Sequence, residues 1–187
     1  MSDEQHVIAD DIDLVRQFKD ERTRNYALHL IIKKYEKKVY WHIRKILIDH
    51  DDTDDALQTT FIKVWQNLIN FREDSKLYTW IYRIATNEAL ALLKKKRTKF
   101  FLPLVDVEAE LSQKIDDSSH YTGTEIERKL QKALLKLPEK QRLVFNMKYY
   151  DEMKYDDISE VLGTSVGALK ASYHLAVKKI EKFLVSD

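Results

Sequence analysis

Three glycines and two prolines in 187 residues leave this chain few places to turn sharply. Hairpin-rich β architectures need turn residues at short, regular intervals, so their scarcity points to an all-α fold. Charged residues make up 34% of the chain, against about a quarter in ordinary globular domains, beside a 44% hydrophobic share. That mixture suits small helical domains with much surface better than one thick core. Cysteine is absent, which excludes disulfides, thiolate metal sites and a cysteine nucleophile.

The first 21 residues hold seven acids against Arg16 and Lys19 and contain no apolar run, so no secretory leader is expected. Nothing elsewhere approaches membrane-spanning length, and the expectation is a cytoplasmic protein with no membrane insertion. The net charge of +1 conceals segregation. Asp49, Asp51, Asp52, Asp54 and Asp55 form an acidic cluster, while Lys94, Lys95, Lys96, Arg97 and Lys99 form a basic block. Patches of opposite sign suggest several charged partners met at different places.

Apolar residues spaced by three or four predict a helix over 25–48 (Leu28, Ile32, Tyr35, Val39, Ile43, Ile46). A turn is expected at 49–52, with Thr53 or Asp54 capping the next helix through Leu57, Phe61, Val64 and Leu68. A second stripe on that helix, Ile62, Trp65 and Ile69, predicts burial on two sides. Phe71 to Ser75 breaks the period as a loop, with Asp74 or Ser75 as cap, and a helix over 76–97 ends in the basic block. Between Lys99 and Glu127, two bases face seven acids, and Pro103, Gly123 and several serines interrupt any period. This reads as an acidic, flexible linker, too long for a connection inside one compact domain. The expected division is a first domain at 1–97, a linker at 98–123 and a second domain at 124–187. In that second domain, helices are expected over 126–137, 140–150, 156–162 and 166–185.

The sharpest local pattern runs from Tyr155 to Lys170 (YDDISEVLGTSVGALK). A helix-turn-helix needs a small residue at the crossing, a glycine for the left-handed turn and flanking apolar residues. Ser159, Gly163, and Ile158, Leu162, Val166 and Leu169 supply these, with Thr164 or Ser165 capping the second helix. On that helix Leu169, Tyr173, Ala176, Ile180 and Leu184 form the inward stripe. Gly167, Lys170, Ala171, His174, Leu175 and Lys178 face outward, where a major groove or its phosphates would lie.

Several further runs stand in a telling order: DDALQTTFIKVW (54–65), FREDS (71–75), TWIYRIATN (79–87), LPEKQRLVF (137–145) and SVGALKASYH (165–174). Together they resemble the extracytoplasmic-function sigma factors of the sigma-70 family, over nearly all of 13–184. The resemblance implies a sigma domain 2 helical bundle and a sigma domain 4 helix-turn-helix. It implies a promoter-specificity subunit that binds core RNA polymerase, recognises the −10 and −35 elements and has no catalytic residue, cofactor or metal of its own. The implied contacts to the β′ clamp helices are Asp54, Asp55, Gln58 and Phe61. Those to the melted −10 element are Phe71, Arg72, Asp74, Ser75, Trp80, Arg83, Asn87, Lys94, Lys95, Lys96 and Arg97. Those to the −35 element are Ser165, Gly167, Lys170, Ala171, His174 and Lys178. The second domain would also rest on the β flap, and an anti-sigma factor would mask these surfaces.

The residues fit such roles physically. Trp80, Arg83 and Asn87 share one side of a helix. An aromatic ring, a cation and an amide are what an unstacked base needs for stacking, phosphate neutralisation and edge hydrogen bonds. Two features depart from the family pattern: Thr59 stands where an acid is usual, and Ser172 and Leu175 stand where arginines are common, which implies a weaker hold on the −35 element. Rival readings are a helix-turn-helix regulator acting without polymerase and a helical adaptor binding only protein. The pairing of an acidic helix with a base-stacking helix in one small domain argues against both. An enzyme is least supported, since no nucleophile–base or metal-ligand spacing stands out.

Overall fold

The computed structural model describes residues 10–100 and 125–186, without the side chains of 97–100 and 186. The expected linker therefore lies outside the described residues, apart from 98–100, which extend a helix. Among the described residues every regular element is helical. In chain order these are α1 (Asp11–Lys19), α2 (Arg24–Leu47), α3 (His50–Asn67) with a 3₁₀ turn (Leu68–Asn70), and α4 (Leu77–Phe100). They are followed by α5 (Glu125–Leu135), α6 (Glu139–Phe145) with a π-helical turn (Asn146–Tyr150), α7 (Tyr155–Leu162) and α8 (Val166–Ser186).

The predicted spans of α2 and α4 to α8 are observed within a few residues. Helix α1 was not anticipated; its acidic composition hides the spacing of Leu14, Val15 and Phe18, all buried against the bundle. The expected turn at 49–52 is corrected as well. Helix α3 opens at His50, because the Asp49 side chain accepts the backbone N–H of Asp52 and caps it. Thr53 is not a cap: it is buried, with its hydroxyl donating to the Asp49 carbonyl. Neither Asp74 nor Ser75 lies next to the start of α4, which opens at Leu77 with the Trp80 N–H bonded to the Lys76 carbonyl.

A continuous core joins α1 to α4 through Phe18, Ile31, Val39, Ile43, Val64, Leu68, Ile81 and Ala85. It does not stop at the expected domain boundary, since Leu143, Val144, Met147, Met153, Ile158, Val161 and Leu169 belong to the same cluster. A smaller core of Ala133, Leu134, Leu137, Phe145, Ala176 and Ile180 holds α5, α6 and α8 together, with Phe145 stacked on Tyr173. Met147, Met153, Ile158 and Val161 thus lie between the two halves, and α7 packs on α4. In place of a uniform helix to Tyr150, α6 widens into the π turn. There the Asp151 N–H reaches back to the Asn146 carbonyl. Such a turn inserts one residue and re-aims the chain beyond it.

Candidate nucleic-acid interface

The two-sided burial expected for α3 does not occur. Ile62, Trp65 and Ile69 are 49%, 38% and 40% exposed, because no described element covers that face. Trp65 is held edge-on by Phe18 at 5.4 Å, so the ring is fixed although open to solvent. Ile62 and Trp65 border a hollow of about 650 Å³ between α2 and α3, shared with Leu28, Ile32, Leu57 and Phe61. Glu36, Asp54, Asp55 and Gln58 complete its lining. The four polymerase-facing residues expected from the sequence are therefore together: Phe61 in the floor, Asp54, Asp55 and Gln58 on exposed turns of α3. His50 pairs with Asp54 at 3.1 Å on the open surface, where such a contact adds little. An apolar floor with an acidic edge is suited to a helical partner that offers apolar and basic side chains.

The second expected site is spread over the 71–75 loop and α4. Phe71 is buried, its ring 5.2 Å from that of Trp80, so the loop hangs on an aromatic anchor. Lys19 donates to the Phe71 carbonyl at 3.3 Å and pairs with Glu73 at 3.5 Å. Glu73 adopts φ 62°, a left-handed conformation that kinks the loop outward. Arg72 and Asp74 are exposed, and Ser75 is half-buried. Beneath them lies a hollow of about 500 Å³, lined by Asp10, Asp11, Glu73, Asp74 and Glu160 together with Lys76. Such a lining opposes a phosphate and favours the amino edges of a base. Trp80 is half-buried, whereas Arg83 and Asn87 are exposed one and two turns further along α4. Of the basic block, Lys94 and Lys95 are exposed, Lys96 pairs with Asp52, and the side chain of Arg97 lies outside the described residues.

In the helix-turn-helix, Gly163 takes φ 60° and ψ 34°, and its N–H bonds to the Ser159 carbonyl. The left-handed conformation is what calls for glycine there, as an added Cβ would meet nothing within 4 Å. Ser165 caps α8 through a 3.4 Å contact with the Ala168 N–H. Leu169, Ala176 and Ile180 are buried as expected, and Ser165, Gly167, Lys170, Ala171, His174 and Lys178 are all exposed along one strip.

The Sigma-70 region 2 family model matches residues 31–99, and the Sigma-70, region 4 family model matches residues 127–180. The ECF RNA polymerase sigma factor SigW of Bacillus subtilis (strain 168) is 30% identical over 162 residues, covering 82% of this chain and 87% of that protein. The chain belongs to the ECF sigma factors. The RNA polymerase sigma-H factor of Pseudomonas aeruginosa is 29% identical to this sigma factor over 180 residues, covering 88% and 89% of the two chains. Among solved structures, CnrH in complex with the cytosolic domain of CnrY shares the fold, with a TM-score of 0.70 at 22% identity over 95% of this chain and 98% of that one. The sigma factor RpoE of Bartonella quintana, in complex with the anti-sigma factor NepR, gives 0.64 at 19% identity over 83% and 95%. The sigma factor is a promoter-specificity subunit of bacterial RNA polymerase.

The sequence did not reveal what joins the halves of this sigma factor. His42, almost fully buried on α2, places Nδ1 2.9 Å from the Asp151 carboxylate and Nε2 2.9 Å from the Thr86 hydroxyl. Thr86 in turn donates its hydroxyl proton to the Tyr82 carbonyl, which ties the imidazole to the next turn of α4. Lys45 also binds Asp151. Burial alone would push the Asp151 carboxyl up, but the His42 and Lys45 contacts hold it below the usual carboxylate range. Lys76 pairs with Asp157 at 2.8 Å, and the Tyr78 hydroxyl, pushed up to about 12 by burial and then by Asp157, leans on the same carboxylate. No helix among the described residues is long and apolar enough to cross a membrane, and no described group of three His, Cys, Asp or Glu is arranged to hold a metal.

Proposed function

We propose that the sigma factor divides its work as 1–97 for core polymerase and the −10 element, 98–123 as connector, and 124–187 for the −35 element. The hollow between α2 and α3 docks the β′ clamp helices, with Phe61, Ile62 and Trp65 as apolar anchors and Asp54, Asp55 and Gln58 facing basic residues. The kinked 71–75 loop and the Trp80–Arg83–Asn87 side of α4 take the melted non-template strand, with Lys94, Lys95, Lys96 and Arg97 towards its phosphates. Helix α8 enters the −35 major groove by its exposed strip, and the second domain rests on the β flap. Catalysis belongs to the polymerase and none to this subunit, which acts in the cytoplasm. Its solved fold neighbours carry CnrY and the anti-sigma factor NepR, and we extend an anti-sigma partner to this chain.

The uncovered stripe of Ile62, Trp65 and Ile69 carries this reading, because a large apolar face left open on a small bundle calls for a protein partner. Run-off transcription with purified core polymerase on a promoter library tests it. Core-dependent transcripts from a defined promoter class support it. Duplex binding without polymerase, and no transcripts with it, would make the chain a stand-alone regulator.

A further inference from the structure

We propose that the hollow between α2, the start of α4 and the 151–157 turn is a nucleotide site, with a purine base against its tyrosine walls and the phosphates between Lys38 and Lys154. The hollow measures about 550 Å³, within the range of small-molecule sites. It shares only Lys76 with the hollow beneath the 71–75 loop, and no residue with the one between α2 and α3. It is therefore a further site, apart from the surfaces given above to polymerase and promoter.

The walls suit a flat ring. Tyr35 and Tyr82 are buried and Tyr78 is half-buried, with the Tyr78 and Tyr82 rings edge-on at 6.1 Å. Met153, buried on the side of the 151–157 turn, adds a polarisable thioether. Ring faces and sulfur together favour an aromatic ligand over an aliphatic one. The charges suit a polyanion. Most of those in the lining are already paired: Lys34 with Asp11 at 2.7 Å, Lys76 with Asp157 at 2.8 Å, and Asp151 with both His42 and Lys45. Lys38 and Lys154 are exposed and form no hydrogen bond or ion pair among the described residues. They reach the hollow from different walls, so they repel each other until an anion stands between them. A polyphosphate is long enough to meet both. The remaining charge is Glu152, held at φ 52°, a left-handed conformation that is costly for a residue with a β-carbon and recurs at ligand clamps. Its carboxylate repels phosphate and accepts from the amino edge of a base.

Calorimetric titration of the full-length chain with MgATP and with MgGTP should show one site with a Kd below ~1 mM, the upper end of ordinary small-molecule requirements. Inorganic tripolyphosphate should bind at least about tenfold more weakly, as expected for the loss of one stacked base. Lys38→Ala with Lys154→Ala should weaken ATP binding at least about tenfold, as expected for the loss of charge-assisted hydrogen bonds. Both lysines are exposed, so circular dichroism and melting temperature should be unchanged. A short single-stranded DNA oligonucleotide should not displace the bound nucleotide. The proposal is overturned if neither nucleotide binds, or if the double variant binds ATP as wild type does. Tripolyphosphate binding equal to that of ATP overturns it as well, by showing an anion site without a base pocket. Displacement by the oligonucleotide overturns it in favour of a strand site. Should the double variant melt lower than wild type, Lys38→Glu alone carries the same test with the same outcomes.

Discussion

Asp151 and His42 are 109 residues apart in sequence and 2.9 Å apart in the fold, both almost fully buried. Removing the carboxylate leaves the Lys45 ammonium and the buried His42 ring without their shared acceptor, and breaking a buried pair in this way costs about 3 kcal/mol. The sign of the pH dependence comes from the depressed carboxyl. Its contribution is complete above its unfolded value near 4 and is lost as pH falls through the lower folded value. Thermal melts of wild type and Asp151→Asn should differ most at neutral pH and converge below about pH 4. A gap that stays constant down to pH 2 would show that the charge of Asp151 contributes nothing.

That relationship explains why the sequence disclosed the helices and not their assembly. Val39, Ile43 and Ile46 repeat at helical spacing, so α2 could be read locally, and Gly163 marks its turn because its conformation excludes most other residues. His42, Lys45 and Asp151 are ordinary polar residues whose pairing depends on a π turn that no local pattern announces. The acids of α1 outweigh Leu14, Val15 and Phe18 in any window, so the helix was hidden although its apolar spacing is present. Ile62, Trp65 and Ile69 show the converse. Periodicity reports which residues share a face, but not whether the same chain covers it.

Asp49 and the pair Asp54–Asp55 should behave oppositely. Asp49 satisfies a free N–H at the start of α3, so Asp49→Ala should lower stability by about 1 kcal/mol and leave core affinity unchanged. Asp54 and Asp55 are exposed and lie beyond the first turn, where the dipole has faded. Changing both to Lys should move stability by no more than ~0.5 kcal/mol while placing like charges before a basic partner. Urea melts beside a core-polymerase pull-down distinguish the two, and an unweakened pull-down removes α3 as the docking helix.

The two glycines of the helix-turn-helix also separate fold from function. Gly163→Ala forces a Cβ into a left-handed conformation and should cost about 1 kcal/mol. Gly167 lies in the first turns of α8 with open space around it, so Gly167→Ala should stabilise the helix by roughly 0.5 kcal/mol. If α8 approaches DNA closely at that point, the same change weakens binding to a −35 duplex by the holoenzyme. A stabilised variant with unchanged duplex affinity would move the contact further along, towards Lys170 and His174.

Asn87 gives the most direct test of strand capture. It is exposed in the middle of α4, and alanine is the better helix former by about 0.5 kcal/mol, so Asn87→Ala should melt no lower than wild type. Any loss of activity is then a loss of contact. Edge hydrogen bonds to a base become possible only once the duplex has opened, so core affinity and closed-complex binding should be preserved. Reactivity of promoter thymines towards permanganate should fall about tenfold, within the 1–3 kcal/mol typical of one captured base. A template with a pre-melted bubble should restore most of the transcript, since the step that the variant performs poorly has already been taken. Equal permanganate reactivity for variant and wild type would mean that the strand runs along another side of α4, and the exposed Lys94 and Lys95 would be the next residues to exchange.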